Sequence, residues 1–254
     1  MRISSGLICL GLVTAAVSGA EPANDRSLTP ILNRARECLD RTNTEIQDYT
    51  CTLVKRERIN GRLRGHEYLR LKLRHEVVEA GRVVAPLAIY LRYLAPAELA
   101  QREVIHVQGK YNVQLIVRRG GPRLAYLTVS VDPNSEVARQ QSRYPITQLG
   151  IKNLVRQLLE VGEEELGYDE PCDVQYFENA KINQRPCDVV EFRHTVRRDE
   201  YRFYIARVFI DHQLQLPIRY ESYDWPKEEG GSPRLLEEYT YLDLKINVGL
   251  TDWD

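Results

Sequence analysis

The sequence predicts an α+β fold in which one curved antiparallel β-sheet, an unclosed barrel, wraps an N-terminal helix and one or two mid-chain helices. Three observations predict it. Helical periodicity after residue 29 gives way at Tyr49 to a period of two. That alternation runs for about eighty residues through segments bounded by Gly, Pro and Asn. After a helical interruption, the last third of the chain returns to strands.

At the start of the chain, Arg2 precedes an apolar run from Gly6 to Val17, and Ser18 and Ala20 occupy the minus-three and minus-one positions of a cleavage site. Residues 1–20 therefore read as a cleaved signal peptide, and the mature chain is expected to work outside the cytoplasm, in a bacterial periplasm. The run falls short of the roughly 20 apolar residues that a spanning helix needs. Cys9 lies inside it behind Leu7 and Ile8, whereas a lipobox wants a small residue before its cysteine. No later segment is long and apolar enough to span a bilayer. Residues 21–28 are polar and read as a flexible tether, leaving 29–254 as a single domain.

Thr29 and Pro30 form an N-cap followed by a proline at the first helical position. Leu32, Ala35, Leu39, Thr42 and Ile46 then recur at three- and four-residue steps, giving one apolar stripe to bury. Strands are expected at Tyr49–Arg58 and Leu63–Glu76, flanking Asn60-Gly61. A two-residue loop there pairs Thr52 with Leu69 and sets leucines opposite threonines. A three-residue loop of Ile59, Asn60 and Gly61 pairs Cys51 with Leu69 and Tyr49 with Leu71, keeps one face apolar, and is preferred. Further strands are expected at Leu87–Leu94, Glu103–Gln108, Val113–Arg118 and Leu124–Val131. Asp132-Pro133-Asn134 starts a short helix, and Ile151, Leu154, Val155, Leu158 and Leu159 form the apolar face of another that ends near Gly162. Strands resume at Cys172–Glu178, Cys187–Val196, Tyr201–Ile210, Leu216–Tyr223 and Leu235–Leu244, with Pro226–Pro233 as an exposed loop.

The formal net charge is −1, which argues against nucleic-acid binding. The charge is lopsided, however. Cys51 to Arg123 carries 15 Lys and Arg against 6 Asp and Glu, and Glu160 to Thr240 carries 10 against 19. A basic half of this kind suits peripheral contact with anionic headgroups or an acidic partner; two solvated faces without a partner is the plain alternative.

Cys38, Cys51, Cys172 and Cys187 follow the leader, an even count that in an exported protein favours disulfides over metal ligation. Three pairings exist. Proximity favours Cys38 with Cys51 and Cys172 with Cys187, because each pair brackets one turn, and a Cys38–Cys51 bridge would pin the first helix to the first strand. Free buried thiols are the alternative.

Catalytic signatures are missing: the sequence has no G-x-S-x-G, no phosphate-binding P-loop and no G-x-G-x-x-G. The string His75-Glu76-Val77-Val78-Glu79 has a glutamate where a zinc protease needs its second histidine. His66, His75, His106, His194 and His212 are scattered without ligand spacing. No cofactor, metal site or enzymatic activity is expected.

The strand faces say more. Tyr49, Cys51 and Leu53 share an inner face with Leu69, Leu71 and Leu73, then with Leu87, Ile89, Leu91 and Tyr93, then with Leu127, Val129 and Val131. Tyr49, Leu53, Leu69, Leu71, Leu73, Ile89, Leu91 and Tyr93 are the expected ligand contacts of this concavity. The competing expectation is that helices fill it as an ordinary core.

Two resemblances bear on this. The stretch from Val208-Phe209-Ile210-Asp211 through Leu216-Pro217-Ile218-Arg219-Tyr220 to Asp224, and the C-terminal Tyr239-Thr240-Tyr241-Leu242-Asp243-Leu244, resemble the late hairpin and closing strand of the LolA/LolB/RseB-like envelope superfamily. In that superfamily an unclosed barrel wraps helices and takes up acyl chains or a partner segment. Tyr49-Thr50-Cys51, Lys55-Arg56-Glu57, Arg102-Glu103-Val104 and Ser142-Arg143-Tyr144-Pro145-Ile146-Thr147-Gln148-Leu149-Gly150 are similar to an uncharacterised exported bacterial family, domain-of-unknown-function family fifteen seventy-one. The apolar concavity and the basic half, within a fold that resembles this superfamily, make a non-enzymatic carrier or sensor for an acyl chain, lipid or lipoprotein the first reading. A protein-interaction module of the envelope with a filled core, offering strand edges or loops such as Tyr223-Asp224-Trp225-Pro226 to a partner, is the second reading, and an envelope hydrolase is the third.

Overall fold

The computed structural model describes residues 28–120, 127–140 and 142–252. The expected signal peptide, most of the tether, and residues 124–126 of the expected Leu124–Val131 strand lie outside these residues.

Helix α1 (Leu28–Glu45) starts one residue before the expected cap at Thr29, which places Pro30 in the first turn, where its missing N–H costs nothing. It buries Leu28, Ile31, Leu32 and Thr42. Strands β1 (Asp48–Ile59), β2 (Arg62–Leu63) and β3 (Glu67–Arg74) follow.

The connection between them corrects the expected register. Asn60 (φ 51°) and Gly61 (φ 76°) form a two-residue left-handed turn joining Ile59 to Arg62 and Arg58 to Leu63. Further along, Lys55 pairs with Glu67, Leu53 with Leu69, Cys51 with Leu71 and Tyr49 with Leu73. The offset arises because Arg64 N still donates to Glu57 O, so Gly65 and His66 together face Arg56. This one-residue bulge restores the parity that the tight turn would have lost, and the apolar residues stay on one face.

A hairpin that the sequence reading missed, β4 (Val77–Glu79) and β5 (Arg82–Ala85), turns on left-handed Ala80 and Gly81 and forms its own two-stranded sheet. Then come β6 (Ala88–Ala95), β7 (Glu103–Val107), β8 (Leu115–Arg118) and β9 (Thr128–Val131). The short α2 (Glu136–Arg139) is capped by Ser135, whose Oγ accepts from Ala138 N at 3.3 Å. Helix α3 (Ile151–Glu165) runs through Gly162 instead of ending there. That glycine marks a close helix crossing, because a Cβ on it would come within 2.4 Å of Leu32 Cδ2 on α1. Strands β10 (Asp173–Ile182), β11 (Arg185–Arg193), β12 (Ile205–Asp211), β13 (Pro217–Asp224) and β14 (Arg234–Ile246) complete the chain.

Apart from β4 and β5, all strands join one antiparallel sheet in the order β10-β11-β12-β13-β14-β1-β3-β6-β7-β8-β9, with β2 on β1. The sheet does not close: among the described residues β9 and β10 pair with nothing beyond it. The first and last strands meet at its centre. Asp48 fixes that junction by accepting Val248 N at 2.6 Å and Leu250 N at 2.9 Å. Because β3 to β9 lie on one side of β1 and β10 to β14 on the other, the charge split in the sequence becomes a split between the two wings of the sheet.

The inner face carries the main core, with α1 and α3 packed against it. The outer face of the acidic wing is held by an ion ladder. Glu191 on β11 pairs with Arg207 on β12 at 2.6 Å, Arg207 with Glu221 on β13 at 3.1 Å, and Arg219 with both Glu221 at 2.7 Å and Glu238 on β14 at 2.6 Å. Buried carboxylates are tolerable here because each one faces a guanidinium.

Candidate functional site

Between the inner face of the sheet, α3 and the segments 132–140 and 142–150 lies a cavity of about 930 Å³. Leu53, Leu69, Leu91, Val104, Leu115 and Val117 form its sheet wall, and Leu149, Leu154, Leu158 and Val161 face them. The volume falls in the range of small-ligand sites. A smaller cavity of about 310 Å³ lies between α1 and β11 to β13, and both are lined by Leu158, Gly162 and Phe192.

The expected ligand contacts divide. Leu53, Leu69, Leu91 and Tyr93 line the large cavity, as do Val129 and Val131. Tyr49, Leu71, Leu73 and Ile89 do not: they are buried in the continuous core. The start of α3 is the cause. Ile151 N donates to the Tyr49 hydroxyl at 3.1 Å, and a Cβ on Gly150 (φ 113°) would lie 2.8 Å from both Leu73 Cδ1 and the Tyr49 hydroxyl. One end of the concavity is filled and the other is open. Leu127, also expected on the inner face, is exposed.

At one end the cavity wall becomes polar. Lys55 lies 2.8 Å from Glu57 and 3.4 Å from Glu67. Ser142 Oγ is 3.3 Å from Lys55 Nζ, Arg143 N donates to Glu57 at 3.3 Å, and the Tyr239 hydroxyl donates to the same carboxylate. Glu237 accepts from the Tyr144 hydroxyl at 3.0 Å and Ser222 at 3.2 Å, with Arg143 Nε at 3.2 Å. Burial opposes charge on Glu57, but Lys55, Tyr239 and Arg143 N outweigh it and hold this carboxyl below its ordinary range. Burial wins at Glu237 and raises its pKa. Burial beside Glu237 pushes the Tyr144 phenol up to about 12.

This polar cluster brings together two segments far apart in sequence, Lys55-Arg56-Glu57 and Ser142-Arg143-Tyr144. Sequence reasoning used them only as marks of resemblance. A signal was present all the same: Lys55 and Glu57 continue the inward alternation of Tyr49, Cys51 and Leu53, and a charge at a core-facing parity asks for a partner.

The four cysteines correct the disulfide expectation, since all are free. Cys187 pairs across the ladder with Ala180, most of a strand away from Cys172 at the start of β10, and the two sit in cores on opposite sheet faces. No bridge can span that separation. Cys38 Sγ instead approaches Gln215 O at 3.7 Å. Burial raises the pKa of every one of these thiols, that of Cys187 to about 11. None has the thiolate character of a nucleophile.

The histidines are structural in their contacts. His194 bonds Glu165 at 3.0 Å and stacks on Tyr201 with centroids 3.7 Å apart; His66 reaches Glu238 at 2.9 Å and His212 reaches Asp188 at 2.7 Å. His75 and His106 are buried, and burial lowers both pKa values. Among the described residues no group of three His, Cys, Asp or Glu side chains is placed to hold a metal ion, and no helix is long and apolar enough to cross a membrane.

Fold and site together define a half-barrel protein with an interior cavity, apolar along most of its length and polar at one end. The chain belongs to DUF1571, a family described as proteins of unknown function, which matches residues 46–254. No curated protein matches it. Among solved structures it is similar to the Pseudomonas aeruginosa MucA/MucB complex, at 17% identity and a TM-score of 0.46 over 87% of this chain and 59% of that one. A putative outer membrane lipoprotein-sorting protein domain from Vibrio parahaemolyticus is 13% identical, with a TM-score of 0.39 over 90% and 97% of the two chains. A LolA superfamily protein from Nitrosomonas europaea is 10% identical, with a TM-score of 0.33 over 89% and 96%.

Proposed function

We propose that the protein is a non-enzymatic carrier or sensor of the bacterial periplasm, exported by a signal peptide at residues 1–20, that holds an acyl chain in its half-barrel. The cavity of about 930 Å³ carries this reading. Its long wall is aliphatic, an unbranched hydrocarbon chain needs no directional partner, and the displaced water supplies the driving force. The lipid arrives free or on a lipoprotein, and the basic wing faces an anionic membrane surface.

A second reading keeps a specific observation on its side. The end of the concavity under α3 is already filled by Tyr49, Leu71, Leu73 and Ile89, as an interaction module with a closed core would have it.

Val117→Trp separates the two. Val117 lines the cavity wall on β8, and an indole there occupies the space a chain would take. The carrier reading expects a folded variant with at least about tenfold weaker binding of a fluorescent fatty-acid probe, or roughly 1.4 kcal/mol. A parent protein that is folded and binds no probe would refute it and favour the interaction module.

A further inference from the structure

Among the described residues, every cation lining the cavity but two is answered by a carboxylate. Lys55 has Glu57 and Glu67, Arg143 has Glu237, and Arg202 reaches Glu164 at 2.7 Å. Arg102 and Arg119 also line the cavity, and among the described residues neither forms an ion pair. Arg102 Nε is buried without a hydrogen-bond partner, and its guanidinium lies over the Tyr93 ring at 5.6 Å.

The ladder sets these two arginines side by side. Glu103 pairs with Arg118, so one residue further along Arg102 faces Arg119; Tyr93 N donates to Arg102 O at 2.9 Å and Arg119 N to Leu127 O at 2.9 Å, which continues the same row. Alternation points both side chains inward with Val104 and Val117, the next inward residues on their strands. Like charges directly opposite on one sheet face repel, and one of them is half-buried. An anion lying between the two guanidinium groups would relieve that repulsion.

We propose that the ligand of this cavity is an anionic amphiphile, whose carboxylate or phosphate head is clamped between Arg102 and Arg119 while its hydrocarbon tail runs over Leu91, Val104 and Val117. The inference rests on the carrier reading and adds the chemistry of the head. The apolar row and the arginine row are adjacent on the same strands, so one molecule with an oxyanion at the end of an aliphatic chain meets both.

The test is displacement of a neutral fluorescent acyl probe by chain-matched dodecanol, dodecanoic acid and dodecyl phosphate, and by inorganic phosphate. It uses the parent, Arg102→Gln and Arg119→Gln, with melting followed for each. The two anionic amphiphiles should displace the probe at concentrations about tenfold or more below dodecanol. Each substitution should erase that preference while dodecanol binds as before. Arg119 is exposed, so its variant keeps the test sound even where Arg102→Gln fails to fold. Equal displacement by dodecanol and the anions, or a preference that survives in Arg119→Gln, overturns the inference and leaves the carrier reading standing. Inorganic phosphate competing as well as dodecyl phosphate marks a free-anion site and overturns it too. A folded parent that binds no probe overturns both.

Discussion

The Tyr49 hydroxyl accepts the backbone N–H of Ile151 at 3.1 Å, fixing the first residue of α3 to the inner face of β1. Helix termini leave N–H groups without intrahelical partners, and here one of them is satisfied by a buried phenol from the strand beneath. The contact decides which end of the concavity is filled.

Tyr49→Phe keeps the ring but leaves that N–H buried and unmet, and should cost about 1–3 kcal/mol in chemical denaturation. Gly150→Ala should cost at least as much, since its Cβ meets Tyr49 and Leu73 and its φ of 113° is strained for any L side chain. Parent-like stability in both variants would show that α3 is not seated as described.

Leu71 is fully buried beneath the helices, whereas Arg70 next to it lies exposed on the outer face opposite Arg92. Leu71→Glu should therefore abolish folding, at a cost on the order of 4 kcal/mol or more. Arg70→Glu should change stability by less than about 0.5 kcal/mol or raise it slightly, because it replaces a cross-strand repulsion with an attraction. Thermal melting of the two proteins reads the outcome, and a folded Leu71→Glu would contradict the assignment of the core.

Titration with a thiol reagent in denaturant should find Cys38, Cys51, Cys172 and Cys187 all reactive, and a reductant should leave the Tm unchanged. Two disulfides in non-reducing peptide maps would contradict the geometry.

His75 makes stability depend on acid. Its burial, with Lys152 and Arg156 nearby and Asp48 opposing them, lowers its pKa from 6.5 to about 4. Between those values the unfolded chain binds the proton and the folded chain does not, so stability is lost as pH falls from 6.5 towards 4. The full effect is on the order of 3 kcal/mol. His75→Phe, which keeps a ring beside Tyr49, should flatten that part of the curve; an unchanged acid limb would contradict the assignment.

Much of the fold was legible because the sheet buries one face along its whole length. Alternation alone places Leu69, Leu71 and Leu73 inward, and no register slip by a single residue could keep them there. The loop length was not legible, since two structures share that parity: a three-residue turn, or a two-residue turn followed by a bulge at Gly65 and His66. Nothing local distinguishes them. The β4–β5 hairpin escaped for a different reason. Val78, Val83 and Val84 are all exposed, so no buried face imposes a pattern on it. The cavity was half legible: the sequence says which side chains face inward, but the position of α3 decides which of them meet space. Lys55, Glu57, Arg102 and Glu237 were missed because charged residues read as surface until their parity is followed through the strand.

Native mass spectrometry of protein taken gently from the cell envelope shows whether the open end of the half-barrel holds a lipid chain. The parent should carry added mass that dissociates as an acyl lipid, and folded Val117→Trp should fly bare. A folded parent that flies bare, from envelopes rich in lipid, would contradict a lipid-holding half-barrel.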